Sequence, residues 1–145
     1  MTTNLPPSLV EIGSFFGDGY RPILDFHGWR VAILRFVDGH QPEAFRWVER
    51  HRETNEVFIL TAGQADLVVC DGDAQPGEAF VTAMGHNVAY NIGQAVWHNV
   101  VMSPDAHIIL FERTGTSRAN TDYADLPPGQ IAAITAQFRV AQQPA

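Results

Sequence analysis

Two histidines and two glutamates in this chain stand at spacings that suit a metal ion or a proton transfer. The stretch "ERHRETNE" sets Glu49 two residues before His51, which is same-face spacing on a strand, and Glu56 five residues after it. Glu56 opens the apolar run "EVFILTA", so a bend over 52–55 would bring the carboxylate and imidazole of two strand ends together. His98, in "AVWHNVV" after a glycine-containing turn, can add an imidazole from a third strand. Glu49, His51, Glu56 and His98 would form a set suited to Zn, Mn, Fe or Ni. Glu49 or Glu56, if not bound to an ion, could serve as a general base. The same residues also read without a metal: Glu49, Arg50, Arg52 and Glu53 as a solvated charge cluster, and His98 as a core residue.

The other histidines keep plainer company. His27 and His40 stand beside glycines in predicted turns and read as exposed, and His86 follows Gly85 in another turn. His107 shares a strand face with Ile109 and Phe111 and reads as packed. The single cysteine, Cys70, ends "ADLVVC" and reads as a small buried hydrophobe.

Composition removes several kinds of chemistry. All nine basic residues are Arg, and without Lys there is neither Schiff-base or pyridoxal chemistry nor a Walker-type phosphate loop. A net charge of −7 argues against nucleic-acid and membrane partners, while leaving a small-molecule ligand open. No apolar stretch is long enough to span a bilayer, and "MTTNLPPSLVEIG" lacks the features of a signal peptide. One cysteine permits no intrachain disulfide, so the expected setting is cytoplasmic.

The elements that must position these residues are short and β-rich. Strands are expected at 29–37, 44–50, 56–62, 65–70, 78–83, within 84–92, within 93–102 and at 106–113. Residues 1–8 read as a loose arm, 15–22 as a turn and 114–129 as irregular. Gly63-Gln64 reads as the turn of a hairpin between 56–62 and 65–70. The one convincing helix is 130–140, with Ile131, Ile134 and Phe138 at helical spacing. About eight strands with turns every 8–12 residues indicate an all-β sandwich or barrel in a single domain over 1–145, with the barrel near 22–113 and a loop and helix over 114–145. Alternation puts Phe58 inward with Glu56, and Val100 and Met102 inward with His98, with Trp97 on the opposite face. Trp47 shares the Glu49 face, and Tyr90 could bring a hydroxyl to the pocket mouth. The candidate substrate pocket is thus Trp47, Phe58, Tyr90 and Met102.

His51, four residues, Glu56, six residues and Gly63 resemble the second half of the first cupin motif, which reads His-x-His, three or four residues, Glu, six residues, Gly. "NIGQAVWHN" resembles the second motif, with His98 as its metal-binding histidine. The resemblance implies a cupin-type double-stranded β-helix, a jelly-roll barrel, here with a short C-terminal helix. It implies a bound divalent ion held by Glu49 (in a histidine slot), His51, Glu56 and His98. Gly93-Gln94-Ala95 stands where the family has Pro-x-Gly, and Met102 where it has Asn. Glu49 in place of His favours a harder ion, or a site that binds none. A fainter resemblance joins "VAYNIGQAVWHNVV" and "FER" to ureidoglycolate lyases and points to small polar substrates. The expected function is a metal-dependent lyase, isomerase or hydrolase acting on a small polar or carboxylate-bearing metabolite. The alternative is a metal-free binding module. An open barrel with edge strands further suggests a homodimer.

Overall fold

Alternating apolar segments, broken by Gly, Pro and Asp-rich turns, fold among the described residues as ten strands, three short 3-10 helices and one α-helix. The structure, a computed structural model, describes residues 4–141. The strands are β1 (Gly19–Phe26), β2 (Trp29–Arg35), β3 (Trp47–His51), β4 (Glu56–Ala62), β5 (Ala65–Gly72), β6 (Pro76–Ala83), β7 (Ala89–Ile92), β8 (Trp97–Met102), β9 (His107–Arg113) and β10 (Thr121–Asp125). They pair antiparallel in two five-stranded sheets, β1-β2-β9-β4-β7 and β10-β3-β8-β5-β6. The helix α1 (Pro128–Thr135) follows. Among the described residues no helix is long and apolar enough to cross a membrane.

Several expected boundaries change. β1 starts inside the stretch read as a turn, and it pairs with β2 through a two-residue turn. His27 and Gly28 of that turn both have positive φ, 45° and 85°, the geometry that matches the twist of a hairpin. β10 lies in the stretch read as irregular and is held by β3, with Thr121 opposite His51 and Tyr123 opposite Glu49. The segment from β4 to β5 is not a hairpin. β4 pairs with β7 and β9, whereas β5 pairs with β6 and β8 in the other sheet. Gly63 makes this sheet-to-sheet corner at φ +71°, where a Cβ would come 2.5 Å from Ala106 Cα, so only glycine fits. Of the arm expected over 1–8, residues 1–3 lie outside the described residues, as do 142–145 at the other end.

The barrel interior is graded along its axis, and this grading positions the site. The inward residues of β2 run Arg30, Ala32, Leu34; those of β4 run Glu56, Phe58, Leu60; those of β8 run His98, Val100, Met102. Antiparallel β9 runs the other way, Ile108, Leu110, Glu112. The apolar members join Leu67 and Ile92 in one closed core. The polar members all end at the same mouth. Burying the apolar side chains supplies about 1.5–3 kcal/mol each, which offsets holding charged groups at the open end.

A second core lies outside the second sheet. Val48, Val68, Cys70, Trp97 and Val101 face Phe45, Leu126, Ile134 and Val140. Phe45 precedes β3 and turns into this outer core, meeting Phe138 edge-to-face at 5.4 Å. α1 spans 128–135 rather than 130–140. It ends early because buried Asp66 accepts the backbone N–H groups of Arg139 and Val140 at 2.8 Å each, which draws the chain out of the helix.

Candidate active and metal site

The four chemistry-bearing residues converge at the polar end of the barrel. One ligand atom from each of Glu49, His51, Glu56 and His98 lies within 4.8 Å of the others. Glu49 and His51 come from β3, Glu56 from the start of β4 and His98 from β8, where it sits directly opposite Glu49. Glu56 Oε2 is 2.9 Å from Nε2 of both His51 and His98. Glu49 Oε1 is 3.8 Å from His51 Nε2, and its carboxylate has no hydrogen bond to any described residue.

The far side of each imidazole fixes its tautomer. His98 Nδ1 lies 2.9 Å from the Val96 carbonyl, which can only accept, so Nδ1 carries a proton. Thr121 Oγ1 donates to the Ser117 carbonyl at 2.7 Å and therefore accepts from His51 Nδ1 at 2.9 Å. With the protons on Nδ1, both neutral rings aim bare Nε2 lone pairs at a carboxylate oxygen. Three lone pairs at hydrogen-bond distance repel one another. The arrangement needs a cation, or an extra proton on each ring, between them. This is how metal-binding histidines are commonly oriented, with Nδ1–H held by an oxygen behind the ring. Two imidazoles and two carboxylates fit a first-row divalent ion.

Without an ion, protons take its place. Burial drives His51 and His98 down, but the hydrogen bond and charge of Glu56 outweigh it, so both titrate above the ordinary range. Burial likewise pushes Glu56 up, and its hydrogen bonds to the two imidazoles reverse that and hold it low. Burial raises Glu49, with His98 and His51 only partly opposing.

These groups open into a cavity of about 390 Å³. Trp47 and Phe58 line it. Tyr90 and Met102 do not. The Tyr90 hydroxyl accepts the Gly85 N–H at 2.9 Å, and Met102, two steps beyond Val100 on β8, lies in the closed apolar core. His40, read as exposed, is half-buried against the cavity, with Nδ1 accepting the Val37 N–H at 3.2 Å. His86 bonds the Gly63 carbonyl, away from the site.

Sequence reasoning missed the opposite wall. Glu112 is 2% exposed and takes hydrogen bonds from Tyr20 Oη and from Arg30 Nε and Nη2, the latter two at 3.0 and 2.8 Å. A signal was present: Glu112 lies two residues beyond Leu110, and Arg30 two before Ala32, on inward faces. Thr121, Arg118 and Tyr123 also line the cavity. Tyr123 meets Trp47 edge-to-face at 5.7 Å, forming an aromatic rim.

No protein-family model matches the chain. Ureidoglycolate lyase 2 of Rhizobium meliloti (strain 1021) is 29% identical over 90 residues, 59% of this chain and 55% of that protein. The chain thus spans about half the length of the curated relative it matches. A cupin-2 domain protein of Shewanella frigidimarina NCIMB 400 superposes with a TM-score of 0.50 at 19% identity, covering 69% of this chain and 85% of that one. A dTDP sugar isomerase of Desulfovibrio desulfuricans G20 superposes with a TM-score of 0.51 at 15% identity, covering 81% and 76%. The chain has the cupin fold. In this cupin barrel the His/Glu cluster and the cavity share the open end, and the closed apolar core fills the other.

Proposed function

We propose that the chain is a divalent-metal-dependent enzyme acting on a small polar or carboxylate-bearing metabolite, with lyase ahead of isomerase and hydrolase. The pair of pinned imidazoles, both aiming Nε2 at Glu56, carries this reading. His51, Glu56, His98 and Glu49 would hold the ion. When bound, it would supply Lewis-acid polarisation of a substrate oxygen. Glu56 serves as ligand rather than base, because Oε2 is already engaged by both histidines. Where His51, Glu56 and His98 alone hold the ion, Glu49 is the better candidate general base: its carboxylate makes no hydrogen bond to a described residue, lines the cavity, and is raised by burial. Trp47, Tyr123 and Phe58 shape an apolar wall against a small substrate. The preference for lyase rests on the likeness to a ureidoglycolate lyase. Buried, free Cys70 suits a reducing cytoplasm. Phe26 and Trp29, 75% and 53% exposed at the turn of the edge hairpin, favour a homodimer, which sedimentation tests.

Metal analysis of protein loaded with Zn, Mn, Fe or Ni in turn tests the core of the proposal. One ion per chain is expected, together with lower thermal stability on chelation and loss of the ion in His98→Ala. Substoichiometric metal under every loading condition, with stability indifferent to chelator, would leave a metal-free binding module.

A further inference from the structure

We infer that Glu112, fixed by Arg30 and Tyr20, reads a hydrogen-bond donor on the ligand, so that the cavity selects metabolites with an N–H or O–H at this wall and rejects those with a second carboxylate there. Its Oε1 accepts all three protein hydrogen bonds. Its Oε2 has no partner among the described residues. Nor is it sealed in, since the one sealed side-chain oxygen or nitrogen without a partner among those residues is Asp66 Oδ1. Oε2 is therefore open to the cavity that Glu112 lines. A carboxylate oxygen in so buried a side chain calls for a donor, and a ligand N–H or O–H at this wall can replace the cavity water that would otherwise supply it.

Three features keep that oxygen available. The β2–β9 register sets Arg30 directly opposite Glu112. Arg30 Nη2 is also held by the Thr116 carbonyl at 2.6 Å, so the guanidinium is fixed on the Oε1 side. Tyr20 engages Oε1 as well. The β4–β9 register pairs Val57 with Phe111, which puts Glu56 and Glu112 next in line on the inner face. A ligand carboxylate at this wall would then meet Glu112 at close range, while the charge of Arg30 is already committed to Glu112. Like charges in a site of low dielectric repel strongly. The inference rests on the proposed metal reading only for what anchors the other end of the ligand.

The test compares N-methyloxamate with monomethyl oxalate by calorimetry on manganese-loaded protein. Both are monoanions of the same shape, and they differ by an N–H replaced with an ether-type oxygen. Glu112→Gln supplies the baseline, because Arg30 and Tyr20 hold the amide oxygen and turn its NH₂ into the cavity. The wild-type preference for N-methyloxamate is expected to exceed that of Glu112→Gln by about ten-fold or more. Ratios equal within about two-fold would overturn the inference. If Glu112→Gln does not fold, the Arg30→Met/Glu112→Met double variant removes the pair without stranding a buried charge and must lose the preference. Metal content is measured separately. Protein that takes no metal would sink the metal reading, and the same probe ratio on metal-free protein would still decide this one. Binding of neither probe by the wild type in either state would also overturn it.

Discussion

Replacing Glu56 by Gln in chelator-treated protein separates protons from repulsion in the cluster. Glu56 Oε2 sits 2.9 Å from Nε2 of both His51 and His98, and all three side chains are buried. Despite burial, Glu56 holds both histidines above their ordinary 6.5, and they in turn hold it below its ordinary 4.5. A raised histidine contributes its full stability below 6.5 and loses it as pH rises through its folded value. A depressed glutamate contributes above 4.5 and loses it as pH falls. The contribution is therefore complete between 4.5 and 6.5. Removing one partner of a buried pair costs about 3–5 kcal/mol, so Glu56→Gln at about pH 6 should lower Tm by about 10–20 °C in a domain of this size. Once the pH has risen through the raised folded values of both histidines, the rings are neutral, their protons stay on Nδ1, and the native carboxylate faces two lone pairs. A Gln amide can donate to one of them, so the penalty should fall to within about 1 kcal/mol of zero. Urea unfolding at the two pH values measures both penalties. Equal penalties would refute the assignment of protons and tautomers on which the metal site rests.

Other outcomes follow from the same geometry. Zinc loading near pH 6 should release about two protons per chain, one from each histidine, read as the buffer dependence of the calorimetric heat; no release would mean the rings were already neutral. Gly63→Ala should destabilise by about 2–4 kcal/mol in denaturant titration, because φ is +71° and the new Cβ meets Ala106 at 2.5 Å. Ile134→Ala should cost about 2–5 kcal/mol by loosening α1 from the outer core, with metal content unchanged.

Much of the barrel was legible because period-two alternation survives in its central strands. "EVFILTA" places its inward residues correctly, and the convergence of His51, Glu56 and His98 follows from strand ends alone, whereas in "HIILFER" the face read as packed, His107 with Ile109 and Phe111, is the outer one and Ile108, Leu110 and Glu112 point inward. Strand pairing was less legible. β4 and β5 are apolar on both faces, so nothing local distinguishes a hairpin from a corner between sheets at Gly63. β10, "TDYAD", is polar because it is an edge strand at the cavity mouth, and that is how it came to be read as irregular. The helix end was hidden for a different reason: Asp66 lies more than seventy residues earlier in the chain, and only the folded sheet brings it to Val140.

The overlooked wall has its own physical reason. Charged residues at the ends of apolar strands are usually solvated, and Arg30 and Glu112 look ordinary one at a time. Their meaning is joint: opposite charges, each two residues outward from a core residue on the inward face of its strand, become cross-strand partners when β2 pairs with β9. The same rule makes sense of Glu49, which shares the β3 face with His51 and pairs across to His98. A carboxylate in that position adds negative charge beside Glu56 and Glu112, and two imidazoliums or a divalent ion are what the barrel mouth can use to balance it. Glu49 in a histidine slot is therefore compatible with a loaded site, because the negative charge it adds strengthens the demand for a cation between His51, Glu56 and His98.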